Sequence, residues 1–431
     1  MQKTKKLEYI EKASKFGIDL SLDRILVLMD SLGNPQDKLK FIHVAGTNGK
    51  GSTCAIIESI LSAAGYKTGM FISPHLELIN ERMSVNGGAI SDDEFERLSS
   101  IVAEKTEKMV EEGLEHPTQF EIICAMAFVY FFEKECDIVV LEVGLGGRLD
   151  ATNIIKTPLV SVITTIDYDH TDRLGNTIEE ITGEKVGIIK QGCAVVSAPQ
   201  GSSAMDVIKR ACIEKDCKLT TVDTESLKFK NIQGELHIFD FEDYENLSLG
   251  LKGLHQLINA SVAIKTINAL RKIGLLISDD SIYQGLKSAR NNGRFEILGH
   301  KPEIIIDGAH NISGINALKE ALIKYYAGKR IILVMAVLSV KNYIEMVEIL
   351  APLADWCIAS EPVSENALPA EELAKCFKRN GKECISVKEF SKAVDLALTQ
   401  AGEDDVVCFC GSLYFIGHVR TYYNNLLGRN Q

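Results

Sequence analysis

Lys50 sits in the stretch His43-Val44-Ala45-Gly46-Thr47-Asn48-Gly49-Lys50-Gly51-Ser52-Thr53, which surrounds one cation with three glycines and ends in two hydroxyls. The pattern comes close to G-x-x-x-x-G-K-[ST], in which loop amides cradle a triphosphate and the lysine reaches its outer phosphates. Two positions differ: Val44 stands where the first glycine belongs, and Gly51 separates Lys50 from the hydroxyl of Ser52. The preceding "FIHVA" reads as a buried strand and Thr53–Ala64 as a helix. Strand, glycine turn and helix together form the setting in which a helix N terminus holds phosphate. A tight turn carrying a solvated lysine is the plainer alternative, and this setting weighs against it.

Other chemistry-bearing residues fall at strand ends. "DIVVLEVG" ends in Glu142 and runs into Gly144, Gly146 and Gly147, a loop able to bend around a ligand. A carboxylate there suits Mg2+ beside a phosphate loop; taken alone, a capping or salt-bridged glutamate fits equally. "LVSVITTI" leads to Asp167, Asp169, His170 and Asp172. His170 could be a metal ligand, a general base, or a surface histidine among carboxylates. Lys185 and Lys190 lie in the apolar "GEKVGIIK", where each could also extend to solvent. His255 and Asn259 share a helix face at i, i+4. Arg294 in "GRFEIL", and Asp307 and His310 in "IIIDGAHN", could face the phosphate loop from a second unit.

These residues need a scaffold, and 431 residues suffice for two domains. Continuous Val/Ile-rich runs alternate with helical segments, the mark of parallel strands covered on both faces. The reading is α/β: an N-terminal P-loop ATPase domain with a mostly parallel sheet, residues 1–293, and a smaller Rossmann-like C-terminal domain, 294–431. A polar insertion around Thr220–Leu249 suggests a small antiparallel sheet, and four strands are expected after Arg294. The net charge of −12 argues against nucleic acid and anionic membranes as partners. No apolar run approaches the ~20 residues that span a bilayer. The polar start Met1–Lys6 and eleven scattered cysteines without a C-x-x-C pair suggest a reduced cytoplasm. Cys408 and Cys410 alternate in "VVCFC" and are expected on one face of a buried strand.

The ordered series "LGNPQ", "HVAGTNGKGST", "SPHL…ERMSVNG", "PTQFE", "EVGLGGRLDATN", "DHTDRLG", "GEKVGIIK", "LHQLINA", "GRFE", "DGAHN" and "GSLYFIGHVR" resembles the folylpolyglutamate synthase/dihydrofolate synthase family, the folate branch of the Mur ligases. The resemblance implies ATP-dependent ligation of L-glutamate to folates through an acyl phosphate. Dihydropteroate is implied as a second acceptor. The alternatives are an enzyme confined to polyglutamylation and, further off, a non-catalytic ATP-binding regulator.

By the same resemblance, Asn48, Gly49, Lys50, Gly51 and Ser52 form the triphosphate loop. Ser73, Glu142 and His170 are magnesium ligands. Lys185 corresponds to a lysine carbamylated in relatives, whose carbamate would help hold a second Mg2+. Lys50, His170 and Lys185 are the implied catalytic residues. Asn259, Arg294 and Asp307 match nucleotide contacts, with His310 beside them. Thr118, Gln119, Phe120, Glu121 and Asp150 match pterin contacts, although Phe120 also reads as a helix-core residue. A monomer is expected. The chain departs from the family pattern at Asn292, at Ser339, Val340 and Asn342 in "AVLSVKNY", and at His418, which leaves the role of the 339–342 loop open.

Overall fold

The computed structural model describes residues 20–428 together with Tyr9, Ile10, Ala13 and Gly17; the start Met1–Lys6 lies outside them. The first sheet contains β1 (Phe41–Ala45), β2 (Thr68–Phe71), β3 (Met83–Val85), β4 (Gly88–Ala89), β5 (Ile138–Glu142), β6 (Val160–Ile163), β7 (Ala194–Ser197) and β8 (Lys218–Thr221). Their order is β4-β3-β2-β5-β1-β6-β7-β8. The neighbours β2-β5-β1-β6-β7-β8 run parallel, while β3 pairs antiparallel with β2 and with β4 at one edge. β1 lies between β5 and β6, so its carboxyl end opens where the strand order reverses, the usual ligand crevice of such sheets.

The unbroken apolar runs have a direct cause. Ile42, Val44, Val140 and Val162 face a core shared with the helices Lys50–Ala63 and His255–Lys272. Phe41, Val139 and Leu141 face the opposite core, against the helix Gln119–Glu133. That helix is buried on nearly every side, which explains why its sequence shows little amphipathic contrast. Each fully buried side chain of this kind contributes roughly 1.5–3 kcal/mol.

The polar insertion forms the expected antiparallel sheet, β9 (Leu227–Gln233), β10 (Leu236–Phe241) and β11 (Tyr244–Leu249). A second mixed sheet follows, with β12 (Glu296–His300), β13 (Glu303–Asp307), β14 (Ile331–Met335), β15 (Trp356–Ala359), β16 (Cys384–Ser386) and β17 (Val406–Cys410). Its order is β12-β13-β17-β14-β15-β16, with β12 antiparallel. Six strands therefore stand where four were expected. The two extra ones are edges: β12 is only partly buried and β16 has three residues, so neither carries a long apolar run. Cys408 and Cys410 share one core while Val407 and Phe409 face the other, as alternation requires. All eleven cysteines are free thiols. Among the described residues no helix is long and apolar enough to cross a membrane.

Candidate active site

The helix after β1 begins at Lys50, three residues earlier than the sequence suggested, because the glycine loop itself forms its first turn. Gly49 caps it at φ +85°, and a Cβ there would lie 2.4 Å from Asn259 Oδ1. Left-handed backbone and close approach both demand glycine. Gly49→Ala is expected to cost about 1 kcal/mol or more of stability and to weaken ATP binding beyond detection by calorimetry.

Lys50 Nζ bends back over the loop, donating to the carbonyls of Gly46 (3.1 Å) and Thr47 (3.2 Å). Ser52 Oγ is engaged by Asn291 Nδ2 at 3.0 Å. The adjacent Gly51 faces Glu142: a Cβ would meet its Oε2 at 3.6 Å, an ordinary contact. Glu142 Oε2 accepts the Ser73 N–H at 3.1 Å. Burial raises its carboxyl pKa, against the opposing pull of Lys50. Beside it, the Ser73 hydroxyl is buried and has no hydrogen-bond partner.

β6 delivers the next group. Lys185, at the end of the helix Ile178–Lys185, is buried and donates to the Gly46 carbonyl at 2.9 Å. Burial, reinforced by the charge of Lys50, lowers its pKa to about 7. His170 has a half-exposed side chain and lines the same cleft. Asp169 is the hub of the far wall. It lies 2.6 Å from Lys341 Nζ, accepts from Asn311 Nδ2 at 3.1 Å, and is 4.0 Å from His310 Nε2. Burial opposes ionisation of Asp169, yet Lys341 and His170 hold its carboxyl below the usual range.

The second unit faces this wall. Asn311 and Asn48 exchange side-chain hydrogen bonds at 3.1 and 3.3 Å. His310 donates from Nδ1 to the Gly308 carbonyl at 2.7 Å, and burial lowers its pKa to about 4, so a neutral Nε2 faces the cleft. Asp307 accepts the backbone N–H groups of Phe295 (2.8 Å) and Ala309 (2.7 Å), fixing the turn that carries Arg294. Asn259 donates to Gln256 at 2.8 Å. One cavity of about 290 Å³ is lined by all the expected phosphate-loop residues, Ser73, Glu142, His170, Lys185, Asn259, Arg294, Asp307 and His310.

Thr118, Gln119, Phe120, Glu121 and Asp150 do not line it. Thr118 and Glu121 form a reciprocal helix cap, and Arg24 pairs with Glu121 at 3.1 Å. Gln119 donates to the Ile10 carbonyl at 3.2 Å. Asp150 accepts from Thr152 and from the Leu145 N–H. Phe120 abuts Gly144, whose own backbone does line the cavity, so this segment borders the cleft rather than entering it. Asn291, Asn311, Gln256 and Lys341 join the site beyond the residues singled out by type and spacing. Asn311 lies within "DGAHN" and Gln256 within "LHQLINA", and those motifs are the signal that could have found them. Lys341 belongs to the 339–342 loop, which contacts the first unit through Asp169.

The sequence matches the Mur ligase middle domain over residues 44–267 and the Mur ligase glutamate ligase domain over 293–413. The chain is 38% identical to Bacillus subtilis dihydrofolate synthase/folylpolyglutamate synthase, covering 96% of this chain and 97% of that one. Thermotoga maritima folylpolyglutamate synthase superposes with a TM-score of 0.85 at 35% identity, over 97% of this chain and 96% of that one. Escherichia coli FolC, solved in complex with DHPP and ADP, gives 0.87 at 30% identity over 98% and 99%. With a phosphate loop, a buried carboxylate and a facing second unit in one cleft, the chain belongs to the folylpolyglutamate synthase/dihydrofolate synthase family of Mur ligases.

Proposed function

We propose that this chain is an ATP-dependent ligase that joins L-glutamate to folates, and also to dihydropteroate. The observation that carries it is the single cleft in which Lys50, Glu142 and Lys185 face Arg294, Asp307 and His310. The double name of the Bacillus subtilis relative supports both acceptors. A polyglutamylation-only enzyme is the second reading, favoured by the placement of the five pterin-segment residues outside the cavity lining.

A carboxylate resists attack by an amine until one of its oxygens becomes a good leaving group. The acceptor carboxylate oxygen takes the γ-phosphoryl group and ADP departs. The glutamate amine then attacks the acyl carbon, the C–O bond to phosphate breaks, and the amine nitrogen loses its proton. In this reading the amides of Asn48–Ser52 hold the triphosphate and Lys50 swings from its carbonyl contacts to the outer phosphates. Asn259, Arg294 and Asp307 serve the nucleotide side. Cross-cleft bonds from Asn311 and Lys341 to Asn48 and Asp169 hold the two walls together and exclude water from the acyl phosphate.

The residues fit Mg2+: a buried, unpartnered Ser73 hydroxyl stands beside the buried Glu142 carboxylate, close to the first turn of the phosphate loop. Among the described residues no three His, Cys, Asp or Glu side chains converge on one point. Ser73, Glu142 and His170 would hold it, and a carbamate on Lys185 would serve a second ion. When bound, Mg2+ neutralises charge on the transferring phosphoryl group. Residues 1–293 act as the ATP-binding unit and 294–431 as the glutamate-ligase unit of a cytoplasmic monomer.

An acceptor panel tests the dual assignment. With ATP, Mg2+ and radiolabelled L-glutamate, both tetrahydrofolate and dihydropteroate should yield amide products. Turnover of tetrahydrofolate alone would establish the polyglutamylation-only reading.

A further inference from the structure

Between Ser73 and β3 the chain forms a compact loop whose outer side docks on the second unit. Glu81 closes the loop from within, accepting the N–H groups of Leu76 (2.7 Å), Glu77 (2.9 Å) and Leu78 (2.7 Å). The helix Leu413–Leu426 bears directly on it: a Cβ on Gly417 would lie 2.0 Å from the Leu76 carbonyl oxygen. Close backbone contact of this kind needs glycine.

Arg420 lies three residues further along the same helix face. Its Nη1 pairs with the Glu77 carboxylate, which also accepts the Thr421 hydroxyl. Its Nε donates to Glu296 Oε1 at 2.9 Å. The other Glu296 oxygen accepts the Gly293 N–H at 2.7 Å, one residue before Arg294. Arg420 and Glu77 are each 11% exposed and Glu296 19%, so this is a largely desolvated triad rather than a surface pair. A planar guanidinium fork can hold two carboxylates in fixed directions, which a lysine ammonium does not.

We infer that Arg420 is a positioning residue for the ATP–Mg2+ site. Through Glu77 it fixes the loop that begins at Ser73, and through Glu296 it fixes the turn that carries Arg294. One guanidinium therefore ties the placement of a metal-side hydroxyl to that of a nucleotide-side cation. It touches neither reactant, and the inference rests on the reading of Ser73 as a magnesium ligand.

Full-length wild type, Arg420→Gln, Arg420→Lys and Glu77→Gln proteins should be titrated calorimetrically with a non-hydrolysable ATP analogue across a Mg2+ series. Amide hydrogen exchange of the ligand-free proteins is measured in parallel. Arg420→Gln is expected to need at least fivefold more Mg2+ for half-maximal nucleotide binding, with Mg2+-free binding weakened by a smaller factor through Arg294. Amides of Leu76, Glu77 and Leu78 should exchange faster, Glu77→Gln should reproduce both effects, and Arg420→Lys should recover them in part. Should Arg420→Gln fail to fold, Glu77→Gln carries the same expectations. A Mg2+ requirement within twofold of wild type in folded Arg420→Gln or Glu77→Gln would overturn the inference, as would equal loss with and without Mg2+. Wild-type binding indifferent to Mg2+ would instead overturn the metal reading beneath it.

Discussion

Lys185→Ala is expected to abolish most ligation, lowering kcat by roughly 100- to 1,000-fold, the scale of losing one preorganised electrostatic group. The geometry gives the reason. An ordinary lysine, with pKa near 10.4, leaves fewer than about one amine in a thousand neutral at pH 7. Burial and Lys50 bring Lys185 to about 7, so a large share of its amine is unprotonated and nucleophilic. Carbon dioxide reacts only with that neutral form, giving a carbamate and releasing one proton. The anion would sit where Nζ now meets the Gly46 carbonyl, at the root of the phosphate loop. A short carboxylic acid should enter the space left by alanine and restore part of the rate. Full activity in Lys185→Ala, without added acid, would remove the carbamate from the account.

Glu142→Gln is expected to lower Mg2+-dependent turnover by more than about 100-fold, since even ligand-supporting residues cost 10- to 100-fold in metal affinity when lost. Stability should move the other way. Burial raises the Glu142 carboxyl pKa in the folded chain. A carboxylate with a raised folded pKa lowers stability above that pKa, and the penalty is relieved as pH falls through it. Glutamine is neutral and its carbonyl can still accept the Ser73 N–H. The ligand-free variant should therefore melt at or above the wild-type temperature at pH 7, and the difference should shrink toward acid pH. A strongly destabilised Glu142→Gln would make this residue a structural support instead.

The sequence revealed most where chemistry and local geometry coincide. The phosphate loop, Glu142 and the "DGAHN" turn sit at strand ends, and buried parallel strands announce themselves as unbroken apolar runs. Edge strands β12 and β16 did not, because a short or half-buried strand carries too little apolar signal. Cross-cleft partners were less legible still. Nothing local in "AVLSVKNY" says that Lys341 meets Asp169, 172 residues away, and nothing near Ser52 says that Asn291 engages it. The displaced hydroxyl was informative in another way: with Ser52 occupied by Asn291, the unpartnered Ser73 hydroxyl is the one available beside Glu142.

The most direct measurement of the central claim is phosphate release from ATP by the purified protein, with acceptor and L-glutamate added singly and together. Release matching amide formation one for one, and only when both folate and glutamate are present, is the expected result. Steady release that is indifferent to both would contradict the assignment as a ligase.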